Sequence, residues 1–267
     1  MKRWLFLISV TVLVLAALVL GGCAQSASGI VTEAGSTTVQ PLAEKLAAAF
    51  KEKNPDITVT IQGGGSGVGI KSAADGTVDI GAASRELNPD EPKLVKHLLA
   101  RDGIALVVHP SNSVTGLTKD QIVQIFAGEI TDWSEVGGSN GTITVIAREE
   151  GSGTRGAFEE MVMGKTLITD KAILQPSNGA LRTSMSTTPL AIGFLSLGYV
   201  DSTVKALTVD GVAPTPENCK SGKYPIVRPL YFLTKEQPTG SVKAFIDFCT
   251  SSEGQEIVQD EGFLSIK

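Results

Sequence analysis

Four short segments of this chain carry Gly, Ser, Thr and Arg in patterns suited to holding an oxyanion. They are residues 34–38 (AGSTT), 63–69 (GGGSGVG), 81–85 (GAASR) and 148–155 (REEGSGTR). Glycine lets backbone N–H groups approach a ligand closely, and Ser and Thr add hydroxyl donors. Where such a segment opens a helix, unpaired N–H groups and the positive end of the helix dipole favour an anion. Arg85 and Arg148 add planar forks that match the geometry of tetrahedral oxyanions. Each segment alone also fits an ordinary helix cap. Four together, all at strand or helix ends, point to one shared ligand.

Other chemistry finds less support. Residues 151–156 (GSGTRG) match G-x-G-x-x-G after an expected strand, with Asp170 downstream, so a dinucleotide site stays open. Gly164-Lys165-Thr166 lacks the upstream Gly of a P-loop, because Glu159 stands there. Neither Ser66 nor Ser152 sits in a G-x-S-x-G nucleophile elbow. The only histidines, His97 and His109, are expected in a helix and at a strand end, away from any nucleophile. With 2 His and 3 Cys, no metal site is expected.

The elements that must position these segments alternate between strand and helix patterns, the signature of an α/β fold. Strands are expected at 57–61, 78–82, 104–108, 142–147, 191–197 and 227–234. Helices are expected from about 42 to 53, and at 93–101, 118–126, 156–163 and 242–250. Thr118 and Gln121 have capping-box spacing. Proline-containing stretches at 109–112 and 224–229 read as crossings between two lobes, or as plain surface loops. The crossing reading gives a first lobe at 31–109, a second at 110–224 and a return at 225–267.

The 267 residues are 42% hydrophobic and 19% charged, enough apolar content for a packed core and too little charge for disorder. Aromatics at 5% and a formal charge of −5 argue against a nucleic-acid binder. Lys2 and Arg3 precede an apolar run, 4–20, followed by Leu20-Gly21-Gly22-Cys23. This reads as an exported chain with a lipoprotein signal at 1–22, cleaved before Cys23, and a small polar tether at 23–30. An uncleaved anchor is the alternative, though the run is at the short end for spanning about 30 Å of hydrocarbon. Removing Lys2 and Arg3 from 23 basic residues leaves 21 against 28 acidic, a charge of −7. Only Cys219 and Cys249 then remain besides Cys23, and an oxidising compartment permits either a disulfide or two free thiols.

The segments Gly35-Ser36-Thr37-Thr38-Val39, 63–69, 79–85 (DIGAASR) and 148–155, with 128–133 (GEITDW) and 177–180 (SNGA), resemble the phosphate-binding proteins of phosphate ABC transporters, the PstS family. The similarity runs through nearly the whole mature chain. It implies a two-lobed periplasmic-binding-protein fold of type II-like α/β architecture, with a hinge and a deep ligand cleft. It implies a monomeric, lipid-anchored extracytoplasmic receptor without cofactor that delivers inorganic phosphate to a membrane permease and does no chemistry. Carried over by position, the ligand contacts are Ser36, Thr37, Thr38, Ser66, Ser84, Arg85, Arg148, Glu150, Ser152, Gly153 and Thr154. Glu150 matches an acidic residue that orients the Arg at 148, and is also a candidate acceptor for a ligand proton. Ser84 stands where many members have an Asp that accepts a hydrogen bond from protonated phosphate and repels sulfate. Arg85 beside it suggests a rearranged site. A receptor for sulfate or molybdate is therefore a second reading, and an exported enzyme acting on a phosphorylated or nucleotide substrate a third.

The expected lipid on Cys23 is directly testable. Cys23→Ser should abolish lipid labelling and leave the precursor at its uncleaved mass on a gel. Unchanged labelling and processing would refute the lipoprotein signal.

Overall fold

The computed structural model describes residues Gly29–Lys267. The expected signal at 1–22, Cys23 and most of the tether lie outside the described residues. The chain opens with β1 (Gly29–Gly35), α1 (Gln40–Lys53), β2 (Ile57–Gln62), α2 (Ser66–Asp75) and β3 (Ile80–Ala83). The last two tether residues, Gly29 and Ile30, thus already belong to a strand, paired in parallel with Ile57 and Thr58. Pro41 pre-sets the first turn of α1, and Leu42, Ala43, Leu46 and Phe50 line its buried face.

Next come β4 (Val95–Val108), β5 (Gly116–Leu117), α3 (Lys119–Ala127) and β6 (Thr144–Arg148). Thr118 and Gln121 form the expected capping box on α3. The helix α4 (Gly153–Phe158) starts three residues earlier than expected, because the Ser152 side chain caps it, and it continues as a π-helical turn over Glu159–Met163. The chain then builds β7 (Ile173–Gln175), α5 (Asn178–Thr187), β8 (Ala191–Ser196), β9 (Lys205–Ala206), β10 (Thr208–Val209) and α6 (Pro216–Lys220). It ends with β11 (Val227–Thr234), α7 (Gly240–Cys249) and α8 (Ser252–Asp260).

The strands run in the order β2-β1-β3-β11-β4-β8-β6-β7, with β9 beside β4 and a separate β5–β10 pair. The strand β4 belongs to both halves. Its residues Val95–Gly103 pair antiparallel with β11, and Ile104–Val108 pair antiparallel with β8. Two hydrophobic cores flank the join. One gathers Val31, Leu42, Leu46, Phe50, Phe232 and Phe245 around α1 and α7. The other gathers Leu106, Phe126, Trp133, Phe158 and Phe194. The cores part inside β4, at Asp102–Gly103, whereas the expected crossing stood at 109–112. The return passes between Ile226 and Leu230.

The expected helix at 93–101 is a strand. Val95 is its only β-branched residue before Ile104, so local propensity favours helix, and long-range pairing with β11 overrides it. His97 therefore lies in a strand, its Nε2 2.9 Å from Thr234 Oγ1. Pro229, opposite Arg101, has no N–H to offer, and the N–H and C=O of Arg101 bond Leu264 instead, both at 2.9 Å. Cys219 and Cys249 are free, buried and in different cores, which leaves no path to a disulfide.

Buried ionisable side chains occur here in two opposite settings. Asp102 on β4 and Arg228 on β11 form an ion pair with both side chains essentially inaccessible. Arg228 Nε and Nη2 donate to Asp102 Oδ2 at 3.0 and 2.8 Å. Ser196 Oγ and Leu197 N donate to Asp102 Oδ1 at 3.0 and 3.2 Å. Glu33 on β1 is the opposite case. Strand alternation turns it into the first core beside Val31, at 1% exposure, and neither carboxylate oxygen has a hydrogen-bond partner. Burial, with the Glu44 charge adding to it, holds its carboxyl well above the usual range.

A raised folded-state value means that the folded protein keeps a proton which the unfolded chain loses above about pH 4.3. Folding stability from Glu33 is therefore complete below that pH and declines as pH rises toward the folded value. Glu33→Gln should raise the melting temperature at pH 8 and flatten its fall between about pH 4 and 8. Parallel curves for the two proteins would show that Glu33 carries no such cost. For the ion pair, Arg228→Met should cost about 3–5 kcal/mol in urea unfolding, because it strands a buried carboxylate. Asp102→Asn added to that variant should return part of the loss. A cost near zero for Arg228→Met would mean that the pair does not secure the join.

Candidate oxyanion site

The four segments meet where the two cores face each other. Gly35 ends β1 at φ 145°, and a Cβ there would lie 2.3 Å from the Ala82 carbonyl oxygen. Only glycine lets β1 end so close to β3 and α2. Gly153 plays the matching part on the other side. A Cβ there would lie 2.1 Å from Ser66 Oγ and 2.5 Å from Ser84 Oγ. The start of α4 is thus pressed against hydroxyls of the first half, and Gly67 N donates to Gly151 O at 2.9 Å across the same gap. The helix α4 is held in place from below: Phe158 stacks on Phe194 of β8 at 4.2 Å and 12°.

Thr38 sits at the centre, 1% exposed. Its Oγ1 accepts from Asn178 Nδ2 at 2.9 Å and from Arg228 Nη2 at 3.1 Å, and it lies 3.2 Å from Thr154 Oγ1. Ser36 Oγ accepts from Thr38 N at 3.2 Å. Ser66 Oγ accepts from Ser84 N at 3.0 Å. Arg228 Nη1 donates to Ser84 O at 3.1 Å and Ser84 Oγ at 3.3 Å. Ser152 Oγ accepts from Arg155 N at 3.2 Å as the cap of α4.

Arg148, at the end of β6, is 1% exposed. Its Nε and Nη2 donate to the carbonyls of Gln175 and Pro176 at 3.1 and 2.9 Å, and Nη2 reaches Thr37 Oγ1 at 3.3 Å. Its Nη1 is buried with no hydrogen-bond partner. Burial first, and then the field of Arg228, lower its pKa to about 10. This guanidinium is desolvated, lies near a second cation, and has one donor unused. Tyr199 OH donates to Thr37 O at 2.6 Å. Burial raises that phenol to about 12, so it stays neutral.

Two of the sequence-derived site residues stand apart from this cluster. Arg85 gives its guanidinium to Glu91 at 2.6 and 2.7 Å and to Glu86 O. It lines an outer cavity of about 380 Å³ with Glu150, Ser152 and Arg155. Glu150 is exposed there, and among the described residues no hydrogen bond joins it to Arg148. The orienting groups of Arg148 are backbone carbonyls instead. His109 bonds Ser111 in an exposed turn and takes no part.

Sequence reasoning missed Arg228, Asp102, Asn178 and Tyr199. One signal for Arg228 was available. It falls on the inward alternation of β11 with Leu230 and Phe232, where an unpaired charge is not tolerated. Asp102 was hidden by the helical reading of its segment. Asn178 was visible only as part of a motif, without a role.

A family profile described as the PBP superfamily domain matches residues 23–253. The chain is 36% identical to a Bacillus subtilis protein named phosphate-binding protein PstS, over 91% of this chain and 82% of that one. It is 33% identical to the protein of that name from Borreliella burgdorferi, over 89% and 90%. A solved Clostridium perfringens structure, described as a phosphate ABC transporter substrate-binding protein with bound phosphate, superposes with TM-score 0.88. It is 43% identical and covers 90% of this chain and 100% of that one. An ABC-type phosphate transport receptor from Vibrio cholerae superposes with TM-score 0.75 at 34% identity, over 88% of this chain. With its two α/β halves meeting at a shared strand, the chain belongs to the PBP superfamily and, within it, to the PstS family of phosphate-binding proteins.

Proposed function

We propose that this protein captures inorganic phosphate between its two lobes and hands it to an ABC-type permease outside the cytoplasm, held to the membrane by a lipid on Cys23. The single observation that carries this reading is the buried Arg148, whose Nη1 has no partner while hydroxyls of both lobes converge beside it. Thr37, Thr38, Ser66, Ser84, Ser152 and Thr154 supply O–H donors, and Gly153 lets α4 come close. The named relatives, binding proteins for phosphate, support the choice of ligand. The protein acts as a monomer and needs no cofactor. Binding with fixed dipoles in a water-excluded site does not require a reaction, and the relatives are named as binding proteins rather than enzymes. One lobe comprises 31–102 with the return from 228, and the other 104–226, the division following the two cores. Arg85 and Glu150 belong to the outer rim of the cleft in this reading, and do not touch the ligand.

A receptor for sulfate or another tetrahedral oxyanion is the second reading, favoured by the uncharged Ser84 inside the cluster. Calorimetric titration of ligand-stripped protein with phosphate tests the proposal. Arg148→Ala should weaken binding by about 1.5–3 kcal/mol or more, and Ser66→Ala by roughly 0.5–1.5, since charge-assisted hydrogen bonds are the stronger. Lys93→Ala, at an exposed position outside the hydrogen bonds of the cluster, should leave binding unchanged. Equal losses for Arg148→Ala and Lys93→Ala would discredit the site.

A further inference from the structure

One short turn of the second half touches the first half at three places. It is the 3₁₀ turn Leu197–Tyr199, which follows β8. At its start, Leu197 N donates to Asp102 Oδ1 at 3.2 Å, where the two cores part. In its middle, Gly198 packs on the C-terminal segment: a Cβ there would lie 2.9 Å from Cζ of Phe263, a member of the first core. At its end, Tyr199 OH donates to Thr37 O at 2.6 Å, on the loop between β1 and α1. The first two contacts belong to the join. The third lies out at the oxyanion cluster, and it must break for the halves to part there.

Tyr199 is braced for this contact from its own side. Arg182 of α5 lies with Cζ 5.9 Å from the Tyr199 ring centroid, donates Nη1 to Tyr199 O at 3.4 Å and pairs with Asp201 at 3.0 Å. Ring and main chain are thus fixed within the second half before the hydroxyl reaches across. Thr37 is then gripped twice, at its carbonyl by Tyr199 and at Oγ1 by Arg148 Nη2, at 3.3 Å. The two grips differ in kind. Arg148 and the Thr37 hydroxyl are among the groups assigned to the ligand. A carbonyl oxygen is only an acceptor and offers an anion nothing. The Tyr199 bond therefore holds the halves together without spending a group that the ligand needs.

We propose that Tyr199 is a positioning residue that latches the closed cleft: it grips Thr37 across the gap and sets how long phosphate is retained, without touching the ligand. The inference rests on the phosphate reading. Release requires the halves to part at the cluster, and parting breaks the Tyr199–Thr37 bond. Capture by a parted cleft breaks no such bond. Loss of the hydroxyl therefore acts on release and spares capture, in keeping with the general rule that changes at an interface fall mostly on dissociation. The net worth of one neutral hydrogen bond corresponds to about two- to tenfold in that rate. A residue that merely stabilised the second half would instead lower the melting temperature of the ligand-free protein and leave the release rate alone.

The test uses the full-length mature protein and inorganic phosphate. Release is measured by chasing labelled phosphate with an excess of unlabelled phosphate, and association by rapid mixing. Tyr199→Phe keeps the ring and its Arg182 contact and removes only the O–H. It should speed release about two- to tenfold, change association by less than about twofold, and leave the melting temperature of the ligand-free protein unchanged. Arg182→Ala, an outer variant that loosens the brace, should speed release in the same direction by a smaller factor. Tyr231→Phe removes a phenol that bonds Glu86 away from the cluster, and should change neither rate. Unaltered release from Tyr199→Phe, with phosphate still bound tightly, would overturn the latch and leave the phosphate reading intact. Slower association with unaltered release would also overturn it. Failure of the wild-type protein to bind phosphate would overturn the phosphate reading, and the latch with it.

Discussion

The buried pair of Asp102 and Arg228 is the constraint on which the site depends. The two residues sit on the adjacent strands that pass between the halves, and neither is exposed. Alone, each would be an unacceptable buried charge. Together they form a rigid bracket. Arg228 reaches into the first half to hold Ser84 and Thr38, and Asp102 reaches into the second to hold Ser196 and the start of the turn after it. Burial pushes the Asp102 carboxyl up and the Arg228 guanidinium down, each toward its neutral form, while the field of each opposes the shift of the other. Breaking the pair removes that opposition, so the geometry of the hydroxyls and the charge state of the bracket stand or fall together.

The bracket also explains how a chain of formal charge −5 can carry a positive cluster. The cluster contains two guanidiniums and one carboxylate, a local surplus of one positive charge. Asp102 neutralises Arg228 at 2.8 Å, and Arg148 has only neutral carbonyls and a hydroxyl. The surplus therefore resides on Arg148. Low local polarizability makes that charge act strongly at short range.

The four loops were legible because their chemistry is local. A run such as 63–69 announces close backbone approach through its glycines, although the Ser152 cap of the helix after the fourth loop went unread. The α/β class was legible in the same way, from apolar runs of strand length between helical patterns. What failed was non-local. Residues 93–101 carry no strand signal, because their conformation is set by pairing with β11, more than 120 positions later. That single misreading hid Asp102, and with it the partner of Arg228. It also left unread a continuous fourteen-residue strand that pairs with β11 along its first part and with β8 along its last. The roles expected of Arg85 and Glu150 came from position in a pattern; Arg85 is drawn away by Glu91, a residue no spacing rule connects to it.

Ser84 and Arg228 are best understood as one solution. Where the family pattern has Asp, a carboxylate at 84 would lie within reach of the Arg228 Nη1 that now bonds the Ser84 hydroxyl at 3.3 Å. Arg228 would then face two carboxylates, and the surplus positive charge of the cluster would fall to zero before any ligand arrived. With Ser at 84, the same Nη1 bonds a neutral hydroxyl, and the cluster keeps its net positive charge. The identity of residue 84 therefore cannot be judged apart from the buried pair behind it.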